Sequence, residues 1–531
     1  FIKTSPLTNA LHGRDKNQCW GLLMKAAQED AGVDGAIGCM LGMAICDAVG
    51  HPLEFVPVDP SLPNDGYGGY TNQDRPHLQP QLKDGKLRYS HAYNKFQLQP
   101  GQWTDDTSMG LCLADSLLAH PDYHGGDARV RWHMWWFHGY CNAFRYDQTR
   151  PRRFSIGLGG NIAKSLMEVQ QCAASGAKDT WMSVPPAFKS GANDAGNGSI
   201  MRLAPVPIAW HSSPSKALEI AAQQSLATHP GEEAAACCQF LTFLLVEIFK
   251  ARKDMRSPEG KLAAFLEATI AAFLNQFPHN RNPAWMRLHA LLLCRPPSAA
   301  EENWNWKSET LKIREAFQAR CQGPGGKYNG HPVSREYFGS YCMDCIAMSL
   351  WALWRSTSFV SCMLRVVNLL GDADSTGAVA GQLAGAVFGL TGIYHDQLGA
   401  VCIQNLQRWD PNAEIGLRAL LLYKREDLGL RASPGVFPGL AGMVPGAPPG
   451  GENPITDLHS TPMGKRMLLR NCDGYDGVRA FAAPIPRSEV KATFPSGVEA
   501  IVLTCKDDFA QVRGLPGTPL QDTTGWVGVK H

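Results

Sequence analysis

Along most of this chain the apolar residues recur at helical spacing, and only the last stretch alternates in the manner of strands. From Asp34 the run GAIGCMLGMAICDAVGHPLEF sets small residues at Gly35, Gly38, Gly42 and Ala44 between Ile37, Met40, Leu41 and Ile45. That spacing predicts a helix which neighbours approach closely, at the centre of an all-α core, ended by Gly50 and Pro52. Trp20 to Ala27 predicts a peripheral helix. Further helices are expected over Met109–Leu118, over the aromatic run Trp132–Phe144, after Asn161, over GEEAAACCQFLTFLL after Pro230, over Phe338–Val367 and over 375–394. The last of these holds twenty residues without a charge, at the length of a membrane span. Gln382 at its middle and the carboxylates just before it favour a buried core helix instead. Residues 56–100, rich in Pro, Gly, Asn, Gln and Tyr, read as a long connection of the kind that covers a site. Residues 256–335 alternate helical stretches with Pro/Asn-rich breaks and carry no catalytic signal.

After Arg431 the pattern changes. Residues 431–455 form a Pro/Gly-rich linker, and 456–531 carry short β-prone runs (MLLRN, VRAFAAP, VEAIVLTC, AQVRG, GWVGVKH) between turn residues. The organisation expected is an all-α domain over 1–430, the linker, and a small β-rich module over 456–531 whose ending suggests an SH3-like barrel.

Composition narrows the class. With 531 residues, 44% of them hydrophobic and 18% charged, the chain can bury a large core. A net charge of +2 gives no bulk attraction to nucleic acid or to an anionic membrane, so neither is expected as a partner. The 16 cysteines lie scattered through apolar helical segments, which favours reduced, buried thiols and a cytoplasmic or other reducing compartment. Cys342-Met-Asp-Cys345 has no second pair or nearby His and reads as helix packing rather than a zinc or redox motif. No targeting signal is visible in the chain, which opens at Phe1; a missing N-terminal segment stays open as an alternative.

Two short stretches carry the chemistry. Gly101-Gln-Trp-Thr-Asp-Asp-Thr107 and Gly371-Asp-Ala-Asp-Ser-Thr376 each pack two carboxylates and neighbouring hydroxyls ahead of a helical pattern. Asp and Thr are ordinary helix N-caps, and capping alone is the plain alternative. Two oxygen-only clusters together suit a hard divalent cation such as Mg²⁺, held between distant segments. Asp105 and Asp106 would sit at a helix N-terminus, whose dipole offsets part of their repulsion. Asp372 and Asp374 can face one region only if their loop is tightly curved, which Gly371 and Gly377 permit. Asp47, inside an apolar run, would cap or pair locally; Glu54, on the loop leaving that helix, is expected to face a pocket. Ser155-Ile-Gly-Leu-Gly-Gly-Asn161 and Gly196-Asn-Gly-Ser199, with Arg202 one turn on, are candidate diphosphate or ribose loops, a plain turn being the alternative for the first. His229, at a Pro-terminated helix end, is a candidate ligand contact against the reading of a satisfied structural histidine.

Six of these features (GAIGCMLGMAICDAVGHPLEF, GQWTDDTSM, GLGGN, GNGSIMRLAPV, THP and GDADSTGAVAGQLAGAVFG) occur in this order over roughly residues 34–425. In that order they resemble the ADP-ribosylglycohydrolase family. The resemblance implies an all-α fold, a centre of two Mg²⁺ ions with Mn²⁺ as a substitute, and hydrolysis of the N- or O-glycosidic bond joining ADP-ribose to a protein side chain such as Arg or Ser or to a small acceptor. It implies Thr104, Asp105, Asp106, Asp372, Asp374 and Ser375 as metal ligands. Glu54 would act as acid or base, with Asp105 and Asp106 beside it in the catalytic set. Gly157, Gly159, Gly160, Asn161, Gly196, Asn197, Gly198, Ser199 and His229 would cradle the diphosphate and ribose. Where the family often has Gly-Gly-Asp-Thr-Asp-Thr this chain has Leu370-Gly-Asp-Ala-Asp-Ser375, which keeps the hydroxyl. The alternative from another class is a catalytically silent, ADP-ribose-binding or structural relative. The acceptor, the oligomeric state and any partner of the β-rich tail are not legible in the residues.

Overall fold

The computed structural model of the protein describes residues 16–58, 78–81, 86–89, 92–150, 155–174, 184–189, 194–252, 261–278, 282–428 and six strands between 466 and 528. The chain divides into two units, Phe1–Met443 and Val444–His531.

The first unit is built on the pairing of two helices, Ala31–Gly50 and Ala373–His395. Every residue from Gly32 to Gly50 is buried. The pair runs antiparallel: Gly35 lies against Ala386, Gly38 against Gly385, Gly42 against Gly381 and Gly50 against Ala373 and Asp374. At Gly38, Gly42, Gly381 and Gly385 an added Cβ would run into a carbonyl oxygen of the opposite helix. No side chain stands between the two backbones there, which is what the small-residue spacing anticipated. Asp30 caps the first helix by accepting from Gly32 N at 2.9 Å and Val33 N at 3.3 Å. The second bends at Gly389, whose φ of +72° breaks the helical run. The bend is secured by Asp34, which takes bonds from Thr391 N and Oγ1 and an ion pair from Arg252 at 2.7 Å, while Arg252 also donates to Phe388 O.

Around this pair pack Lys16–Glu29, Asp105–Ala119, Glu232–Ala251, Cys342–Trp354, Phe359–Val367 and Glu414–Tyr423. Lys16–Glu29 buries Cys19, Leu23 and Ala27, so it is less peripheral than expected. Among the described residues, three helical segments, Ala31–Leu53, Glu232–Ala251 and Ala373–His395, are long and apolar enough to cross a membrane; most of each is buried inside the fold. Two expected helices differ from the pattern, one in its bounds and one in being divided. The aromatic one, Gly125–His138, ends at Gly139 in the left-handed region, leaving Tyr140 to Phe144 as a turn. Phe338–Val367 is two helices, because Ser358 starts the second with a capping box. Cys342 and Cys345 sit buried on the first of these, and the fourteen cysteines among the described residues are free thiols. From the long connection after Val58, a hairpin pairs Leu78–Gln81 with Lys86–Tyr89; residues 59–77 lie outside the described residues.

The second unit contains a six-stranded sheet with the spatial order Arg466–Leu469, Val498–Lys506, Phe509–Gly514, Thr524–Gly528, Val478–Phe481, Val490–Phe494, every pair antiparallel. The linker expected at 431–455 lies outside the described residues.

The helix crossing gives a direct test. Gly381→Ala places a methyl against Gly42 O and is expected to cost about 2–3 kcal/mol, read as a lower urea midpoint at unchanged m. Gly21→Ala, on a helix with nothing within 4 Å of the new methyl, is the control and should be neutral or slightly stabilising.

Candidate active site

The glycine crossing brings the C-terminal end of Ala31–Gly50 against the N-terminal end of Ala373–His395, and the carboxylates gather where those ends meet. Asp47 is the first of them and does not pair locally. Its Oδ1 accepts from Thr104 N at 3.0 Å and Thr104 Oγ1 at 2.9 Å, and its Oδ2 from Thr107 N at 3.1 Å and Thr107 Oγ1 at 2.6 Å. One fully buried carboxylate thus clasps the start of the Asp105–Ala119 helix and satisfies N–H groups that have no intrahelical partner. Burial pushes the Asp47 carboxyl up to about 6, against the opposing pull of the threonine donors.

The clasp aims Asp105 and Asp106 at the same region as Glu54, Asp372 and Asp374. Carboxylate oxygens of Glu54, Asp372 and Asp374 lie within 4.8 Å of one another, all buried. Asp106 adds its charge to both Asp374 and Glu54, and Asp105 feels Asp106 and Glu54. Burial first, and then these neighbouring carboxylates, push Glu54, Asp105, Asp106 and Asp374 well above the carboxylate range. Asp372 moves in the same direction by burial, opposed by the Asn197 amide.

Backbone hydrogen bonds stitch four loops into the rim of this cluster. Phe55 N donates to Gly371 O at 3.0 Å and Gly371 N to Val56 O at 3.2 Å, which fixes Glu54 beside Asp372. Asp372 N donates to Phe338 O at 3.0 Å, Asn197 N to Ser340 O at 2.8 Å and Cys342 N to Ala195 O at 2.9 Å. The curl before Asp372 comes from two successive left-handed residues, Leu370 at φ +65° and Gly371 at φ +66°. Gly377 contributes differently from the expectation: it lies within the helix, where it admits Cys46 O. Asp372 is itself the cap residue and Asp374 is in the first turn. Phe55, adjacent to Glu54, is also left-handed at φ +63°, a conformation a bulky residue keeps only where its surroundings enforce it.

The two glycine loops converge on the same cluster. Gly157, at φ +85°, lies so close that a Cβ would come within 2.7 Å of Asp105 Cγ. Gly159 and Gly160 are exposed and Asn161 half-buried at the start of Gly160–Ala174. Gly198 lies over His229, where a Cβ would come within 2.7 Å of Cε1, and also near Ile162. Gly196 lies beside His229 Nε2. His229 Nδ1 lies 2.8 Å from Thr228 Oγ1, which accepts from Arg202 at 2.7 Å. With the Thr228 proton directed to Nδ1, the ring is neutral and Nε2–H faces the Gly196–Gly198 turn. Burial, and then the Arg202 charge, hold this imidazole down at about 3.

Three side chains in these loops turn away from any ligand. Both Asn197 amide protons are committed, to Asp372 Oδ2 at 2.9 Å and Gly339 O at 3.2 Å, so Asn197 orients a carboxylate. The Ser199 hydroxyl accepts from Ser225 at 2.9 Å inside the core. Arg202 is fully buried, stacked 3.9 Å from the Trp132 ring centroid and bonded to Gln224 and Thr228, so it supplies no charge to a phosphate. Of the aromatic run, Trp132, Trp135 and Phe144 are core, and Trp136 and Tyr140 pack half-buried against it.

The donor set fits a cation. Asp106 Oδ1 and Glu54 Oε2 are buried with no hydrogen-bond partner. Thr104 Oγ1 lies 2.9 Å from Asp47 Oδ1 and 2.8 Å from Asp106 Oδ2 but has one proton, so one of these contacts lacks a donor. Ser375, buried beside Asp374, adds a hydroxyl near Asp372. Oxygen-only, charge-excessive and partly unsatisfied, the cluster suits a hard divalent ion.

Comparison with known proteins agrees in kind. The family model described as ADP-ribosylglycohydrolase matches residues 28–419. An ADP-ribosylarginine hydrolase Tri1 of Pseudomonas putida is 30% identical over 68% of this chain and 72% of its own length. Its counterpart in Serratia proteamaculans is 28% identical, over 69% and 74%. The ADP-ribosyl-[dinitrogen reductase] glycohydrolase of Rhodospirillum rubrum is 24% identical, over 68% and 87%. Among solved structures, an ADP-ribosylglycohydrolase-related protein complex aligns at 25% identity with a TM-score of 0.43, covering 74% of this chain and 98% of that one.

Two outcomes follow from the geometry. Asp47→Asn turns an amide N–H₂ toward the threonine donors and is expected to cost about 2–3 kcal/mol in urea unfolding; unchanged stability would refute the clasp. His229 is neutral when folded down to about pH 3 and binds its proton near 6.5 when unfolded, so its contribution is complete above pH 6.5 and is lost as pH falls toward 3. His229→Gln should therefore flatten the stability profile between those values, by at most about 1.4 kcal/mol per pH unit, when folded and unfolded populations are compared across a pH series.

Proposed function

The chain belongs to the ADP-ribosylglycohydrolase family, and from that premise we propose that it removes ADP-ribose from arginine side chains in a Mg²⁺-dependent hydrolysis. The observation that carries the reading is the convergence of Asp105, Asp106, Asp372, Asp374 and Glu54, drawn from three distant segments, on one buried spot. The acceptor follows the relatives named as ADP-ribosylarginine hydrolases.

Thr104, Asp105, Asp106, Asp372, Asp374 and Ser375 would hold the ions, two Mg²⁺ or Mn²⁺ in their place. When bound, the ions supply positive charge that keeps these carboxylates ionised and polarises oxygens placed among them. Glu54, whose buried Oε2 has no hydrogen-bond partner, would take a proton from the attacking water. In the reaction the C–N bond between the ribose anomeric carbon and the guanidino nitrogen breaks, hydroxide from water joins the carbon, and the nitrogen keeps the electron pair and gains a proton. The loops at Gly157–Asn161 and Gly196–Gly198, with His229 Nε2–H beside the second, would bind the diphosphate and ribose through backbone and imidazole donors. Asp47 and Asn197 hold the carboxylates in position and touch no substrate.

A catalytically silent, ADP-ribose-binding relative would lack one or more of these carboxylates; the set here is complete. The test is release of ADP-ribose from an ADP-ribosylarginine peptide, with ADP-ribosylserine peptide and O-acetyl-ADP-ribose in parallel, in Mg²⁺ and in EDTA. Turnover on the arginine substrate should vanish in EDTA and fall by at least about a thousandfold in Asp374→Ala and Asp105→Asn, with thermal unfolding still cooperative. Undiminished turnover in Asp374→Ala would refute the ligand assignment.

A further inference from the structure

Next to Glu54 the site mouth carries an aromatic corner that the chemistry above does not use. The Phe55 and Tyr337 rings meet edge to face, with centroids 4.9 Å apart, and Phe96 adds a second edge contact to Phe55 at 6.1 Å. Tyr337 is 46% exposed, so the corner opens to solvent. Phe55 follows Glu54 in the chain, and Phe338, next to Tyr337, accepts from Asp372 N at 3.0 Å, so the corner stands beside the carboxylate cluster. The left-handed backbone at Phe55 and the Phe55 N to Gly371 O bond fix the ring in place. Over this ring stands a cation from the protein: Lys95 Nζ is 4.1 Å from the Phe55 centroid and 5.9 Å from that of Phe96, and its charge reaches Glu54.

We propose that the face of Phe55, walled by Tyr337 and bordered by Glu54, is the berth for the acceptor guanidinium, and that Lys95 is a tethered competitor which a cationic acceptor must displace. The inference rests on the reading of an arginine acceptor. An aromatic face beside a carboxylate attracts a cation. A guanidinium is planar and more weakly hydrated than an ammonium, so it stacks there at lower desolvation cost. Lys95 is exposed and its long stem lets the ammonium return to water, so displacement is cheap. A neutral acceptor gains nothing from the ring's quadrupole and does not displace the lysine. Phe55, Tyr337 and Lys95 are thereby specificity determinants, adjacent to the reacting atoms but outside the ion cluster.

The test compares N-acetylarginine methylamide with its neutral isostere N-acetylcitrulline methylamide, titrated by NMR into the full chain with Mg²⁺ and ADP-ribose present. Wild type should prefer the arginine probe. Lys95→Gln should tighten the arginine probe by about three- to tenfold and leave citrulline unmoved. Phe55→Leu should erase the preference; Tyr337→Leu, at an exposed position where folding is not at stake, should weaken it. Equal shifts for both probes, or no preference in wild type, would overturn the berth. For hydrolysis of an ADP-ribosylarginine peptide, KM should fall in Lys95→Gln by a similar factor. The two ideas separate cleanly: a wild type that prefers the arginine probe yet hydrolyses no arginine conjugate keeps the berth and loses the proposed function, whereas hydrolysis without a preference does the reverse.

Discussion

Two helices touching backbone to backbone set the terms for this molecule. Because Gly38 and Gly42 meet Gly385 and Gly381 with no Cβ between them, Ala31–Gly50 and Ala373–His395 run side by side at a separation other residues would forbid. Antiparallel alignment then puts the end of one, bearing Asp47 and leading to Glu54, against the beginning of the other, bearing Asp372 and Asp374. A wider crossing would leave the same residues in the chain and draw their carboxylates apart.

Concentrating carboxylates in a buried space opposes folding, and the surrounding structure answers chiefly with hydrogen bonds, no ion pair being made to the cluster among the described residues. The buried arginines among the described residues are engaged elsewhere: Arg202 on Trp132, Arg425 on Trp210, Arg129 on Glu168, Arg131 on Asp127, Arg252 on Asp34, Arg418 on Asp115 and Arg320 on Asp344. Asp47 is satisfied by two threonines and Asp372 by Asn197, while Asp106 and Glu54 keep an oxygen without a partner. The division is between groups that hold the shape and groups left for a ligand. Left-handed Phe55 and Leu370 belong to the same economy, since local strain is tolerated where loop stitching fixes both neighbours.

The central helices, the two acidic clusters and the glycine loops were legible in the sequence because each has a local cause: small-residue spacing, paired carboxylates ahead of an apolar run, glycines before a helix. What escaped had non-local causes. Asp47 looks from the sequence alone like a residue that caps or pairs locally, but its partners are Thr104 and Thr107, and nothing in one sequence links positions so far apart. The hydroxyl of Ser199 and the amide of Asn197 look like ligand donors in a glycine-flanked loop; only packing shows them spent on Ser225 and Asp372. Arg202 misled in the same way, its charge being absorbed by an indole face. The N-cap residue Ser358 was a local signal that could have divided Phe338–Val367 in advance, although the Ser361 that completes its capping box is not the usual Glu or Gln. Tyr337 had no signal at all, since it enters the site mouth through the Phe338 to Asp372 link.

The order in which these pieces leave the ribosome has its own consequence. Glu54 and the 104–107 segment are synthesised long before residues 372–375, and the glycine face of Ala31–Gly50 has no partner until Ala373–His395 follows. Through most of translation a nascent chain therefore exposes a groove fitted to a helix not yet made, beside half of an acidic cluster. A chain terminated before that helix would lack Asp372 and Asp374, and the acidic cluster would stay half built.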